Sequence, residues 1–244
     1  MKSTDKLSEI EARIDKLLKD ETIKDNLLKQ NLQKAIEIIK EAFQCYTSEE
    51  LFVSFNGGKD SALLLFLVRY CVDNFNYSMP RVLYIDKGDN FVEINEYIES
   101  FNSLILPNCD EHFIQTTGDI KRGLEKILRE YSNLKASFIG LRSTDPFCSQ
   151  LTFFTPTDNG WPPLMRITPL LYFSNNQLWK IVRYINLPYC CLYDQGYTSI
   201  GGTKDTRKNP TLEIRDPKTN KIVGYRPAYE MVDEETERAG RSTT

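Results

Sequence analysis

From residue 51 onward the chain alternates between short apolar runs of strand length and longer runs with helical spacing. This alternation limits the fold more than any other feature. "LFVSF" (51–55) precedes "SALLLFLVRYCV" (61–72), and "RVLYID" (81–86) precedes "NFVEINEYIESFNSL" (90–104). "HFIQT" (112–116) precedes "GDIKRGLEKILREY" (118–131), "ASFIGL" (136–141) is a fourth strand, and "RITPLL" (166–171) is a fifth before "SNNQLWKIVRYINL" (174–187). In the last helix Ser174 is placed to cap the free amides while Gln177 bonds back. Strands separated by helices are joined by crossovers, which favours parallel pairing with both sheet faces covered. The expected fold class is therefore α/β, a doubly wound and mostly parallel sheet with helices on both faces.

Two further segments flank this body. Residues 8 to about 44 carry apolar positions at three- and four-residue steps, with "KDETIKD" (19–25) separating two helices. After Leu187 the pattern fades into Gly-, Thr- and Asn-rich loop, then "EIRDPKTNKIVGYRP" (213–227) suggests a hairpin. The expectation is one domain overall: amphipathic helices over 1–47 packing on the core, and a body over 48–244 that ends in a loop and hairpin tail.

Composition excludes several functions. The net charge of −3 over 244 residues argues against a general nucleic-acid binder. The six cysteines form no C-x-x-C pair, and the charged start "MKSTDKLSEIEARIDK" lacks the apolar core of a signal peptide. Free thiols in a reducing cytoplasm are the expectation, and early acidic residues argue against a transit peptide. "ALLLFLV" stops at Arg69, short of the ~20 apolar residues of a membrane span. The single histidine, His112, lies in the strand-like "EHFIQT" and is expected to be structural, on the strand or at its end.

The turn in "VSFNGGKDSALLLF" (53–66) is the main candidate for chemistry. It is not a Walker A loop, because Asp60 follows Gly58-Lys59 where Ser or Thr is required, and Val53 stands where the first glycine should be. Gly57 and Gly58 nevertheless allow a tight turn and close approach of backbone amides to a phosphate. The helix beginning near Asp60 adds unpaired N–H groups. Ser61 offers a hydroxyl, Lys59 a positive charge, and Asp60 a carboxylate suited to a phosphate-borne magnesium ion. A capped strand-to-helix turn is the plainer alternative.

"SFNGGKDS" resembles the pyrophosphate loop of N-type ATP pyrophosphatases, and "YIDKGDNFVEI" (84–94) resembles the second-strand motif of the branch containing PAPS reductases. "GLRSTDPF" (140–147), "GWPPLMRITPLL" (160–171), "CLYDQGYTSIGG" (191–202), "YRPAYE" (225–230) and "ERAGR" (237–241) together resemble the eukaryotic type of FAD synthetase, or FMN adenylyltransferase. This likeness runs from about residue 50 to 241.

It implies transfer of AMP from Mg-ATP to the FMN phosphate, giving FAD and pyrophosphate by direct in-line attack. By that resemblance Ser54, Asn56, Gly57, Gly58, Lys59, Asp60 and Ser61 would cradle the ATP phosphates, with Asp60 near magnesium. Tyr84, Ile85 and Asp86 would lie at the adenine, and Arg142 and Asp145 would face the phosphates. Asp158, Trp161 and Arg166 would bind the flavin, by an imide hydrogen bond, ring stacking and pairing with phosphate or the polar ring edge respectively. Arg238 and Arg241 would fold over the site, although "ERAGRSTT" by composition alone reads as a frayed end. Catalytic roles would fall to Asn56, Asp60, Asp145 and Arg238. The expected partners are ATP and FMN, with no nucleic acid or membrane, and a monomer is favoured. A sulfur-transfer enzyme of the PAPS reductase or tRNA-thiolation type, and a non-catalytic nucleotide sensor, are the alternatives.

Overall fold

The computed structural model describes residues 3–107 and 110–242. Helices α1 (Ser3–Lys19) and α2 (Asn26–Cys45) are followed by β1 (Leu51–Ser54), α3 (Lys59–Phe75), β2 (Arg81–Asp86) and α4 (Val92–Ile105). Next come β3 (Phe113–Thr117), α5 (Ile120–Glu130), β4 (Ala136–Phe138), β5 (Phe154–Pro156), β6 (Met165–Ile167) and α6 (Asn175–Tyr184). A separate hairpin of β7 (Glu213–Arg215) and β8 (Ile222–Tyr225) precedes the tail.

The six-stranded sheet has the order β3-β2-β1-β4-β6-β5, parallel throughout except for the β5–β6 pair. β1 thus has β2 on one side and β4 on the other, so strand order reverses between β1 and β4. In such sheets this reversal opens a crevice at the carboxyl ends of the strands, where ligands bind.

Because side chains alternate along a strand, β1 divides its residues between two cores. Leu51, Val53 and Phe55 join the larger cluster with α3, α4, α6 and both N-terminal helices, whose Leu7, Ile10, Ile14, Leu28 and Leu32 are buried in it. Phe52, Leu83, Ile114 and Leu164 face the other way and meet only Ile127 of α5, Leu134 and a few half-buried neighbours. One face is therefore thickly covered and the other carries a single helix.

Local signals explain the helix boundaries. Ser174 and Gln177 form the expected capping box of α6. Asp119 caps α5 by accepting from the Lys121 and Arg122 amides, and Asp25 caps α2 through the Leu28 amide. One expectation needs correction. The strand expected over 166–171 covers only 165–167, since Pro169 has no amide for a ladder and a turn follows. His112 lies at the strand's end, one of its two expected positions, in a short 3-10 turn (Asp110–His112) just before β3.

Candidate active site

The turn after β1 is held by its own side chains. Gly57 has φ 76°, a conformation suited to glycine, and a side chain there would meet Ile98 of α4 at 3.0 Å. Asn56 Oδ1 accepts from the Gly58 amide at 2.9 Å and from the Ser61 hydroxyl at 2.7 Å, fixing the turn against the first turn of α3. The Lys59 amide donates to the Tyr193 hydroxyl at 3.0 Å. The loop after β4 approaches from the other side of the crevice. A Cβ on Gly140 would lie 3.0 Å from the Asp60 carbonyl carbon and the Ser61 nitrogen, so glycine permits this backbone contact.

Between these loops sits a cluster of five charged groups. The Lys59 ammonium donates to Asp60 Oδ2 at 2.8 Å and to Glu237 Oε1 at 2.6 Å. Arg142 donates from Nη2 to Glu237 Oε2 at 2.6 Å, and its Nε lies 2.9 Å from Asp60 Oδ1. Asp145 accepts from the Arg142 amide at 2.8 Å, and its carboxylate is 3.9 Å from Nη2. The local Arg142–Asp145 contact thus coexists with longer-range pairing across the crevice.

The Lys59 and Arg142 side chains are only 3% and 4% exposed, so their charges are expensive unless paired. Burial alone would lower the Lys59 pKa, but the Asp60 and Glu237 charges outweigh it and hold the ammonium above the usual lysine range. Burial likewise opposes ionisation of Asp60, yet Lys59 and Arg142 keep its carboxyl below the usual aspartate range. Burial raises the Asp145 pKa against the pull of Arg142. These groups line one wall of a cavity of about 710 Å³, within the range of ligand pockets.

The cavity extends over the thinly covered sheet face, along Phe52, Ser54, Leu83, Ile85, Ser137 and Leu164, with Leu124 of α5 opposite. Of the residues singled out from sequence, Ser54, Asn56, Gly58, Lys59, Asp60, Ser61, Tyr84, Ile85, Arg142, Asp145, Asp158, Trp161, Arg166, Arg238 and Arg241 all line it. Gly57 and Asp86 do not. The Cβ position of Gly57 faces α4, and Asp86 uses its carboxylate to accept from the Gly88 amide at 2.7 Å and the Asn90 side chain at 2.9 Å.

Trp161, also in the lining, is 43% exposed. Arg166 and Asp158 form a two-point ion pair, Nη1–Oδ2 and Nη2–Oδ1 both 3.1 Å. The Asp158 carboxylate expected to meet the flavin imide is therefore engaged by Arg166.

As far as Ser242 the tail is folded, contrary to its frayed composition, and it forms turns where a helix would put Arg238 and Arg241 on one face. Thr198 donates its hydroxyl to the Glu237 carbonyl, Asn209 to the Thr236 carbonyl at 2.8 Å, and the Arg207 amide to the Gly240 carbonyl at 2.8 Å. Arg241 pairs with Asp205 at 3.0 Å, and a side chain on Gly201 would collide with its guanidinium. Glu237 and Tyr193 are functional candidates that sequence reasoning did not select. Each sits inside a quoted motif, but their partners are 178 and 134 residues away, so only the fold reveals them.

Among the described residues, no group of three or more His, Cys, Asp or Glu side chains is arranged to hold a metal ion. Asp60 Oδ1 is buried and has no hydrogen-bond partner, the nearby Arg142 Nε being misaligned. A carboxylate oxygen that accepts no hydrogen bond, beside a phosphate turn, fits magnesium that retains water and phosphate ligands, rather than a protein cage.

Residues 50–208 match the phosphoadenosine phosphosulfate reductase domain family. A protein of Schizosaccharomyces pombe described as a probable FAD synthase is 34% identical over 220 residues, covering 87% of this chain and 79% of that protein. A Caenorhabditis elegans probable FAD synthase is also 34% identical, but the chain spans only 40% of its length. Candida glabrata FMN adenylyltransferase in complex with ATP superposes with a TM-score of 0.85 at 26% identity, over 100% of this chain and 98% of that one. On the strength of these matches the chain belongs to the FAD synthase family, built on the phosphoadenosine phosphosulfate reductase domain.

Proposed function

We propose that this chain is an FMN adenylyltransferase, joining FMN to the AMP moiety of ATP with release of pyrophosphate. Family membership supports the reaction. The observation that carries it on this chain is one cavity lined by the phosphate turn, by Trp161, Asp158 and Arg166, and by Arg238 and Arg241.

The attacking group is the FMN phosphate, whose second pKa near ~6 leaves it largely dianionic at neutral pH. No general base is required, in keeping with the position of His112 outside the cavity lining. The protein's task is to align two polyanions and offset their repulsion. In this reading the Asn56–Gly58 turn and the Ser61 hydroxyl seat the ATP phosphates, while Lys59 and Arg142 supply positive charge. Arg238 opposes charge developing at the α-phosphate, and Arg241 holds the FMN phosphate. Trp161 stacks on the flavin, and the Asp158–Arg166 pair presents its polar edge to the ring. Magnesium borne by ATP would find Asp60 as its protein ligand and would further neutralise the phosphates.

A thiol-based sulfur transfer is disfavoured, because no cysteine lines the cavity among the described residues. Burial pushes the Cys190 thiol up to about 11, away from reactive thiolate. The test is incubation of the pure chain with ATP, magnesium and FMN, following FAD and pyrophosphate, with a parallel reaction lacking FMN assayed for AMP. FAD formed only with FMN present is the expected result. Nucleotide binding without turnover would indicate a sensor, and AMP release without FMN would indicate a different acceptor. Riboflavin with ATP is expected to yield no FAD.

A further inference from the structure

The cavity wall contains an anion already seated between the two cations that a triphosphate would need. Glu237 is 8% exposed and gives one carboxylate oxygen to Lys59 and the other to Arg142, each at 2.6 Å. Charge-assisted contacts to both oxygens, with both cations buried, form a two-point anion seat of the kind that also accepts phosphate. The cluster holds three carboxylates, Asp60, Asp145 and Glu237, against two cations, Lys59 and Arg142. As it stands, a polyphosphate entering the cavity meets cations whose charge is already spent.

The backbone around Glu237 is anchored independently of its carboxylate. Thr198 holds its carbonyl, Asn209 holds the carbonyl before it, and Arg207 holds that of Gly240. The side chain can therefore leave its seat while the turn that carries Arg238 and Arg241 stays sewn in place.

We propose that Glu237 is an internal surrogate for a nucleotide phosphate, occupying the Lys59–Arg142 seat until ATP or pyrophosphate displaces its side chain. The inference rests on the adenylyl-transfer reading. It makes Glu237 a positioning residue: it keeps two buried cations oriented and solvent-free before substrate arrives, and it competes with the phosphates of both substrate and product. Removing its charge should strengthen phosphate binding, whereas a purely structural brace would weaken it.

The test uses the full chain as wild type, as Glu237→Gln and as Glu235→Gln, an exposed acid two residues away. Inorganic pyrophosphate and ATP are titrated separately by calorimetry. Glu237→Gln is expected to bind pyrophosphate about tenfold more tightly than wild type, the effect of removing one close competing charge. Glu235→Gln should change it less than about twofold, as befits a screened surface charge. In steady state, Glu237→Gln should lower KM for ATP and strengthen inhibition by pyrophosphate. Equal or weaker pyrophosphate binding by Glu237→Gln overturns the proposal. A crystal structure of the wild-type chain with pyrophosphate provides a test that does not depend on the variant's folding. The Glu237 carboxylate is expected beyond the ~4 Å ion-pair distance from Lys59 Nζ, with a phosphate oxygen in its place. Glu237 still on both cations with pyrophosphate bound overturns the proposal. A folded wild-type chain that binds neither ATP nor pyrophosphate and makes no FAD overturns the enzyme reading, and this inference with it.

Discussion

Replacing Arg142 with Ala tests whether the charged cluster also holds the fold together at the crevice. Arg142 is 4% exposed on its side chain and faces two carboxylates, Asp60 at 2.9 Å and Glu237 at 2.6 Å. Removing one member of a buried ion pair typically costs ~3–5 kcal/mol, because the partner remains buried and uncompensated. Lys59 still pairs with both carboxylates, so the loss should sit at the lower end, about 3 kcal/mol.

The pH dependence gives a second handle. Burial raises the Asp60 pKa, but Lys59 and Arg142 together more than reverse it, so the folded carboxyl ionises below its ordinary value of 3.8. Its stabilisation is present above that value and is lost as pH falls through the lowered one. Without Arg142 the folded carboxyl takes up its proton at a higher pH than in the wild type, so the variant's deficit should narrow as the pH falls from about 7 to about 4, toward the ordinary aspartate range. Urea unfolding of both proteins at the two pH values measures this, with Arg142→Lys expected between them. A loss below about 1 kcal/mol, the size of an exposed pair, would refute the reasoning. So would a deficit that widens on acidification.

Other perturbations read different parts of the molecule. Burial first, then a hydrogen bond and charge from Asp73, raise the Glu11 carboxyl from 4.5 to about 8. Stability should therefore fall as pH rises through that window, and Glu11→Gln should flatten the thermal profile and add about 1–2 kcal/mol at alkaline pH, since the half-exposed group is screened. Parallel profiles for the two proteins would contradict this. Trp161→Ala should raise KM for FMN about tenfold, from lost stacking worth ~1 kcal/mol or more, and leave KM for ATP nearly unchanged. An equal effect on both substrates would remove Trp161 from the flavin end. Gly201→Ala should displace the Arg241 guanidinium and raise KM for FMN in a protein that remains folded. Unchanged FMN kinetics in a folded Gly201→Ala protein would count against the role of Arg241.

The sequence was most informative where one residue's chemistry sets local structure. The Gly57-Gly58 turn, the Ser174 cap and the hairpin over 213–227 are all governed by neighbours within a few positions. β5 was not anticipated, because Phe154–Pro156 is three residues long and ends in a proline tolerated only at a sheet edge. Most of the candidate site was named through the family likeness, and the cavity collects those residues. Their pairings were not legible. Asp158 is held by Arg166, Asp60 lies between two cations, and Glu237 joins the first and last thirds of the body. Such contacts depend on where the crevice brings distant loops, which no local pattern records. Asp86 is a further case. The resemblance puts it at the adenine, and the fold adds a local role that the strand pattern does not record: its Oδ1 accepts from the Gly88 amide.

The unequal covering of the sheet predicts how the protein should tolerate change. Along β1, Leu51 and Val53 point into the thick layer, whereas Phe52 and Ser54 look onto the cavity. Odd-numbered positions should thus govern whether the chain folds, and even-numbered ones which molecule it accepts. Variation confined to the cavity-facing set could retune specificity while sparing the scaffold, with a single strand serving both purposes on alternate residues.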